Sequence, residues 1–255
     1  MSQRNPVGEK GKADNAVEVT NLVKVFGNIK AVQELSFTVK KGETYGLIGP
    51  NAAGKTTTLR ILATLVKPSA GSAKVFGFDV DKRASEVRKI VSYLPEEAGA
   101  YRNLSGREYL QFMADFYAVE EETSKALVNE AVGISGLGDR LRDKVKTYSK
   151  GMGRRLLIAR ALMMKPKLAI LDEPTSGLDV VHAYYVRRII CEYVKDHGVT
   201  VLLSSHNMLE VEFLCNRLAL IDEGRLLGEG TPFELKSRYN ASNLEEAFME
   251  ATKIG

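Results

Sequence analysis

Residues Gly49 to Thr56 read G-P-N-A-A-G-K-T, which fits the spacing G-x-x-x-x-G-K-[ST] of a phosphate-binding loop. The chemistry on offer is anion capture. Backbone N–H groups of the loop Gly49, Pro50, Asn51, Ala52, Ala53 and Gly54, with those of a following helix N-terminus, would point at one spot and favour an anion; Pro50 has none to give. Lys55 adds a mobile positive charge able to reach β- and γ-phosphates. The Thr56 hydroxyl can ligate Mg²⁺, and Thr57 can donate to the α-phosphate.

A second constellation is Asp172-Glu173, directly after the apolar run Leu168–Leu171. Two carboxylates past the carboxyl end of a buried strand stand where α/β sheets bind ligands. Beside a phosphate-binding loop, Asp172 would hold Mg²⁺ through its water shell, opposite Thr56. Glu173 would polarise a water for attack on the γ-phosphate. The plainer alternative is a solvated acidic turn.

Elements must position these groups. The apolar run Tyr45–Ile48 before the loop reads as a strand, and Leu59, Ile61, Leu62 and Leu65 after it read as a helix that ends at Pro68–Gly71. Val17 to Lys40 alternates as an antiparallel sheet region broken at Gly27-Asn28, and Ala73–Phe78 is a short strand. A charged helix over 82–90 and a strand over Ile90–Leu94 follow. Leu104 to Leu141 reads as helical throughout. Ser105-Gly-Arg-Glu108 is a capping box there, and Tyr109, Phe112, Met113, Phe116 and Tyr117 lie on one face, expected to be mostly core. Further on, helices are expected over Gly151–Met164, Val181–Asp196, Asn207–Cys215 and Pro232–Tyr239, with strands at Leu168–Leu171, Val199–Ser204 and Leu218–Ile221. Gly224–Gly230 reads as turns, and the last 15 residues as a weak amphipathic helix.

The chain has 255 residues, 44% of them hydrophobic, enough for one substantial core. A net charge of +4 is too mild to argue for nucleic acid. No apolar run reaches the roughly 18 residues of a membrane span. Met1 to Asn15 is polar with no apolar segment, so it reads as a disordered tail or an expression-vector remnant rather than a secretory signal. Cys191 and Cys215 read as two free thiols in a reducing cytosol.

Tyr148-Ser149-Lys150-Gly151-Met152, then Leu171 to Asp179 (L-D-E-P-T-S-G-L-D), then Ser204-Ser205-His206, occur in this order and spacing. With the phosphate loop they strongly resemble the ATP-binding cassette of ABC transporters, from Val17 to about Leu235. Tyr93-Leu94-Pro95-Glu96-Glu97 and the Y-S-K-G-M run resemble the single-cassette subunits of multidrug or polysaccharide exporters. The resemblance implies an α/β fold: a mostly parallel core sheet, an N-terminal antiparallel β-subdomain and an inserted α-helical subdomain over 96–148. It implies a cassette over 16–235 and a helical extension over 236–255.

It also implies roles. Phe26 would stack on adenine, the alternative being a strand core residue. Glu96 would sense Mg²⁺ and the attacking water, with Thr56 and Asp172 as the other metal residues. Ser149 and Gly151 would bind the γ-phosphate held by an opposing subunit, Asp179 would cross the dimer interface, and His206 would contact the γ-phosphate. Lys55, Glu96, Glu173 and His206 form the implied catalytic set. His182 and His197 lack motif context and read as surface residues. The implied partners are ATP with Mg²⁺, a second copy of the chain, and a separate permease that docks near Ala98–Leu104, with no nucleic acid. The implied location is the cytoplasmic face of the cell membrane.

Three positions depart from the common pattern. Ala52 and Lys150 stand where glycine is usual, and Glu96 where glutamine is usual. The last two read as markers of the exporter branch. A soluble cassette ATPase working on DNA or ribosomes is the runner-up, but its usual second cassette, coiled coil or zinc insertion is absent. A GTPase lacks support because no N-K-x-D run is present.

Overall fold

The structure is a computed structural model that describes residues 15–254. The tail expected over 1–15 lies outside the described residues except for Asn15, which opens the first strand.

Strands β1 (Asn15–Phe26), β2 (Ile29–Lys40), β4 (Ala70–Val75) and β5 (Phe78–Asp79) form an antiparallel sheet in the order β2-β1-β4-β5. The alternation expected of Val17–Lys40 puts Val17, Val19, Leu35, Phe37 and Val39 inside. The second sheet holds β3 (Thr44–Ile48), β6 (Val91–Leu94), β7 (Leu168–Asp172), β8 (Thr200–Ser205), β9 (Arg217–Asp222) and β10 (Arg225–Gly230). Its order is β10-β9-β3-β8-β7-β6, parallel except for the β9–β10 pair. Every residue of β3, β7 and β8 is buried, as befits parallel strands covered on both faces.

Helix α1 (Lys55–Leu62) packs under one face, in the core shared with the antiparallel sheet. On the other face lie α5 (Lys150–Leu162), α6 (Val180–His197) and α7 (Met208–Leu214). Helices α3 (Gly106–Asp115) and α4 (Glu121–Ser135) pack against each other and against α5. The short α2 (Ala84–Arg88) leads into β6, and α8 (Pro232–Arg238) and α9 (Leu244–Ile254) follow the last strand.

Four expectations need correction. The first helix stops at Leu62, because Thr64 takes a left-handed φ of 63°, and Leu65 is left 60% exposed. The stretch 104–141 is not one helical run. Gly136, with φ 56°, ends α4, and a 3₁₀ turn covers Gly138–Arg142. Gly224–Gly230 contains a strand: Glu223 and Gly224 both take positive φ and make a two-residue hairpin turn between β9 and β10. Glycines obscure that strand in the sequence, yet Gly228 is the room α8's neighbour Tyr239 needs, since a methyl there would lie 2.7 Å from the Tyr239 hydroxyl.

The fourth correction is the aromatic face of α3. Tyr109, Leu110 and Ala114 are buried, but Phe112, Phe116 and Tyr117 are exposed. Phe112 packs edge-on against Tyr101 at 5.3 Å and against Phe116 at 4.9 Å, so the rings cover one another at the surface. The capping box at Ser105 and Glu108 forms as expected.

Candidate functional site

Because β3, β8 and β7 are adjacent and parallel, the loops after them open at one edge of the sheet. The loop after β3 is Gly49–Gly54, that after β7 holds Glu173, and that after β8 holds His206. Gly49 must be glycine: a methyl on it would lie 1.9 Å from the Ile221 carbonyl oxygen of β9. Ala52 takes φ 66°, a left-handed conformation that glycine tolerates better. Gly54 also has positive φ, and α1 starts at Lys55.

One cavity of about 620 Å³ is lined by Phe26, the loop residues Pro50 to Thr57, Glu96 and Glu173. Phe26 is exposed there with the Lys24 ammonium 4.7 Å from its ring centroid, so it is not a strand core residue. The Lys55 ammonium donates to the carbonyls of Gly49 at 2.6 Å and Pro50 at 3.0 Å, and stands 3.6 Å from Glu173 Oε1. Burial pulls Lys55 below its usual pKa, and Glu173 pulls the other way.

Asp172 is buried and collects three hydroxyls. Ser204 donates to it at 2.6 Å, Thr56 at 3.1 Å and Tyr93 at 3.2 Å. Burial first, and Asp172 second, push Tyr93 up to about 12, so this phenol stays a donor. Glu173 takes a left-handed φ of 47°, and its N–H donates to Ser204 at 3.0 Å. His206 Nδ1 stands 2.9 Å from Glu173 Oε2. Glu96 accepts a hydrogen bond from the Ser176 hydroxyl at 2.9 Å.

The sequence reading missed Arg154. Its buried guanidinium donates to five carbonyls: Pro174, Asp172 and Glu173 at 2.8 Å, and Pro95 and Glu96 at 3.1 Å. It ties the end of β7 to the loop carrying Glu96. A lone arginine in a helix carries no sequence signal for this.

Ser149, Gly151 and Asp179 do not line this cavity. Ser149 caps α5 by accepting from Met152 N–H at 3.2 Å, with Gly151 in the first turn. Asp179 caps α6 by accepting from His182 N–H at 2.9 Å. His182 is not a bystander, for its Nε2 lies 3.2 Å from Ser149 Oγ. His197 stacks on Tyr193 at 4.2 Å and contacts Glu130 at 3.1 Å, and it is exposed, as expected of a surface residue. Cys191 and Cys215 are free thiols.

The family model described as "ABC transporter" matches residues 32–176. The chain belongs to the ABC transporter family. Among relatives, the daunorubicin/doxorubicin resistance ATP-binding protein of Streptomyces peucetius is 41% identical over 90% of this chain and 69% of its own length. A Nod factor export ATP-binding protein of Burkholderia lata is 39% identical over 86% of this chain and 72% of its own. The solved ATP-binding subunit of an ABC transporter superposes with a TM-score of 0.80 at 27% identity, over 93% of this chain and 99% of that one. The chain is therefore an ATP-binding cassette of the α/β phosphate-loop class, an ATPase coupled to transport. No helix among the described residues is long and apolar enough to cross a membrane.

Proposed function

We propose that this cassette is the motor subunit of an exporter, and that two copies enclose two Mg-ATP between them to drive a separate permease. The carrying observation is the convergence of Lys55, Thr56, Asp172 and Glu173 on one cavity at the carboxyl edge of the sheet. In this reading Phe26 stacks on adenine, and Gly49 to Thr57 and Lys55 hold the phosphates. Glu173 receives the proton of the attacking water, with His206 orienting the carboxylate from the other side. Thr56 and Asp172 offer a hydroxyl and a carboxylate 3.1 Å apart, an all-oxygen pair suited to Mg²⁺, and Glu96 stands at the same cavity. Bound there, the ion would offset charge on the β- and γ-phosphates.

A second copy is needed because Ser149 and Gly151 head a helix whose N-terminus can meet an anion, yet they lie off the cavity of their own chain. Asp179 would then lie at the interface. The permease would dock beside Ala98–Leu104. In support, Tyr101 is exposed there, and Glu96, Ala98, Lys150 and Leu178 line a groove of about 220 Å³. Within the cassette, residues 96–148 act as the helical subdomain that carries this face, and 236–255 as a C-terminal extension of the 16–235 unit. The working location is the cytoplasmic face of a membrane, held there by the permease. That the named relatives serve resistance and export supports the direction.

Affinity capture of the tagged chain from solubilised membranes tests the reading. A co-purifying polytopic membrane protein, in a complex that hydrolyses ATP, is the expected result. Capture of ribosomes or DNA instead would replace it with a soluble cassette ATPase.

A further inference from the structure

His182 lies three residues past Asp179 in the first turn of α6, and its ring occupies the space beside the N-terminus of α5. A methyl built on Gly151 would lie 1.5 Å from His182 Cδ2, so the ring packs directly on the Gly151 backbone. His182 Nε2 is 3.2 Å from Ser149 Oγ, and its buried Nδ1 faces Asp179 Oδ1 at 3.5 Å with no hydrogen bond. The side chain is 30% exposed, which leaves one edge open to a ligand arriving at the helix end.

The proton count at Ser149 has a consequence. Its Oγ already accepts from Met152 N–H. A hydroxyl has one proton and two lone pairs. In a neutral ring the carboxylate of Asp179 favours the tautomer with its proton on Nδ1. Nε2 is then an acceptor, and Ser149 spends its only proton on it. A second proton on the ring reverses the bond: Nε2–H donates to Ser149, both serine lone pairs are filled, and the serine proton is free to point at a phosphate. The imidazolium also places a positive charge beside that phosphate.

We propose that His182 is a positioning residue that sets the direction of the Ser149 hydroxyl, and that it makes capture of the opposing γ-phosphate proton-linked. The proposal rests on the reading that Ser149 meets ATP held by a second copy. The charged group against the ring is Asp179, from the loop capping the same helix, at 3.5 Å; Lys150, the charged residue in the first turn of α5, directs its ammonium over Gly177. Backbone donation from His182 holds the Asp179 carboxyl below its usual range, so it remains ionised as the ring titrates. Phosphate binding would raise the ring's affinity for a proton. The extra affinity is therefore present when the ring carries its second proton and is lost as rising pH removes it.

The test uses the full chain carrying Glu173→Gln to stop turnover, with Mg-ATP, and measures dimerisation by sedimentation between pH 6 and 8. The readout is the difference between variants, which cancels any pH dependence that does not come from the ring. His182→Leu should weaken the dimer at pH 6 about tenfold per site, the size of one charge-assisted hydrogen bond. His182→Gln, whose amide donates without titrating, should restore the dimer and flatten its pH dependence. If the Glu173→Gln chain never dimerises with ATP, the two-copy reading itself fails. If it dimerises and the His182→Leu chain matches it, the proposal is overturned. Should His182→Leu fail to fold, an unchanged pH slope in His182→Gln overturns it equally.

Discussion

His206 Nδ1 stands 2.9 Å from Glu173 Oε2, so the carboxylate after β7 is held from the strand next to it. Lys55 holds the other oxygen at 3.6 Å. Glu173 is nearly buried between the Lys55 ammonium and the His206 ring, which fixes its direction before any water arrives. Glu173→Gln keeps the shape and loses the base. Turnover should fall about 10²- to 10⁴-fold with ATP affinity little changed. The variant should run as an ATP-dependent dimer on size exclusion. Monomers in the presence of Mg-ATP would speak against the mechanism.

Lys55 donates to two loop carbonyls, and phosphate oxygens are stronger acceptors for the same ammonium. Lys55→Ala should weaken ATP binding about 10- to 100-fold, as expected for a lost charge-assisted bond, and should remove hydrolysis. Titration with a fluorescent ATP analogue measures this. Wild-type turnover in the variant would displace the site from this loop.

Ala52 at φ 66° is strained by roughly 1 kcal/mol relative to glycine. Ala52→Gly relieves that strain but loosens the unfolded chain by about 0.4–1 kcal/mol, so melting should shift little. The bound loop should benefit more, because its backbone N–H groups must converge on the phosphates. Calorimetry should show tighter ATP binding; equal or weaker binding would mean that the loop holds its shape without cost.

The sequence revealed the groups that carry motif chemistry, and little of what holds them. The phosphate loop, Asp172, Glu173 and His206 were legible because their spacing is fixed by the strand ends they follow. Arg154, Tyr93 and Ser204 were not, since each acts through contacts with residues distant in the chain. His182 read as surface for the same reason: α5 brings Ser149 to it across 33 positions. The β10 strand was hidden by its glycines, of which Gly228 leaves room for Tyr239, and the α3 aromatics misled because periodicity reports a face but not which way it points.

Arg154 is the sharpest structural case. Its guanidinium satisfies carbonyls on both sides of the Asp172–Glu173 turn and the Glu96 loop. Arg154→Ala leaves several buried carbonyls unpaired, and about 3 kcal/mol of stability should go, given non-additivity. Melting should drop by roughly 6–12 °C. Arg154→Lys should rescue little, because an ammonium cannot span the same fork. A loss under 2 °C would show that water replaces the contacts.

Glu210 gives a pH-dependent prediction. It is 1% exposed on α7 and accepts from the Ser205 hydroxyl at 2.8 Å. Burial raises its pKa; hydrogen bonds from Thr175 and Ser205 oppose the rise, Glu173 adds to it and Arg187 opposes it more weakly. The folded chain therefore keeps a proton that the unfolded chain releases above about pH 4.3. Glu210 costs nothing in stability below that value; the cost grows as pH rises toward the folded value and is constant beyond it. Glu210→Gln fixes the neutral form and can still accept from Ser205. It should match the parent near pH 4 and melt higher than the parent at pH 8. Thermal melts at both pH values measure the difference, and a variant that melts lower at pH 8 would show that the carboxylate is stabilised there as an ion.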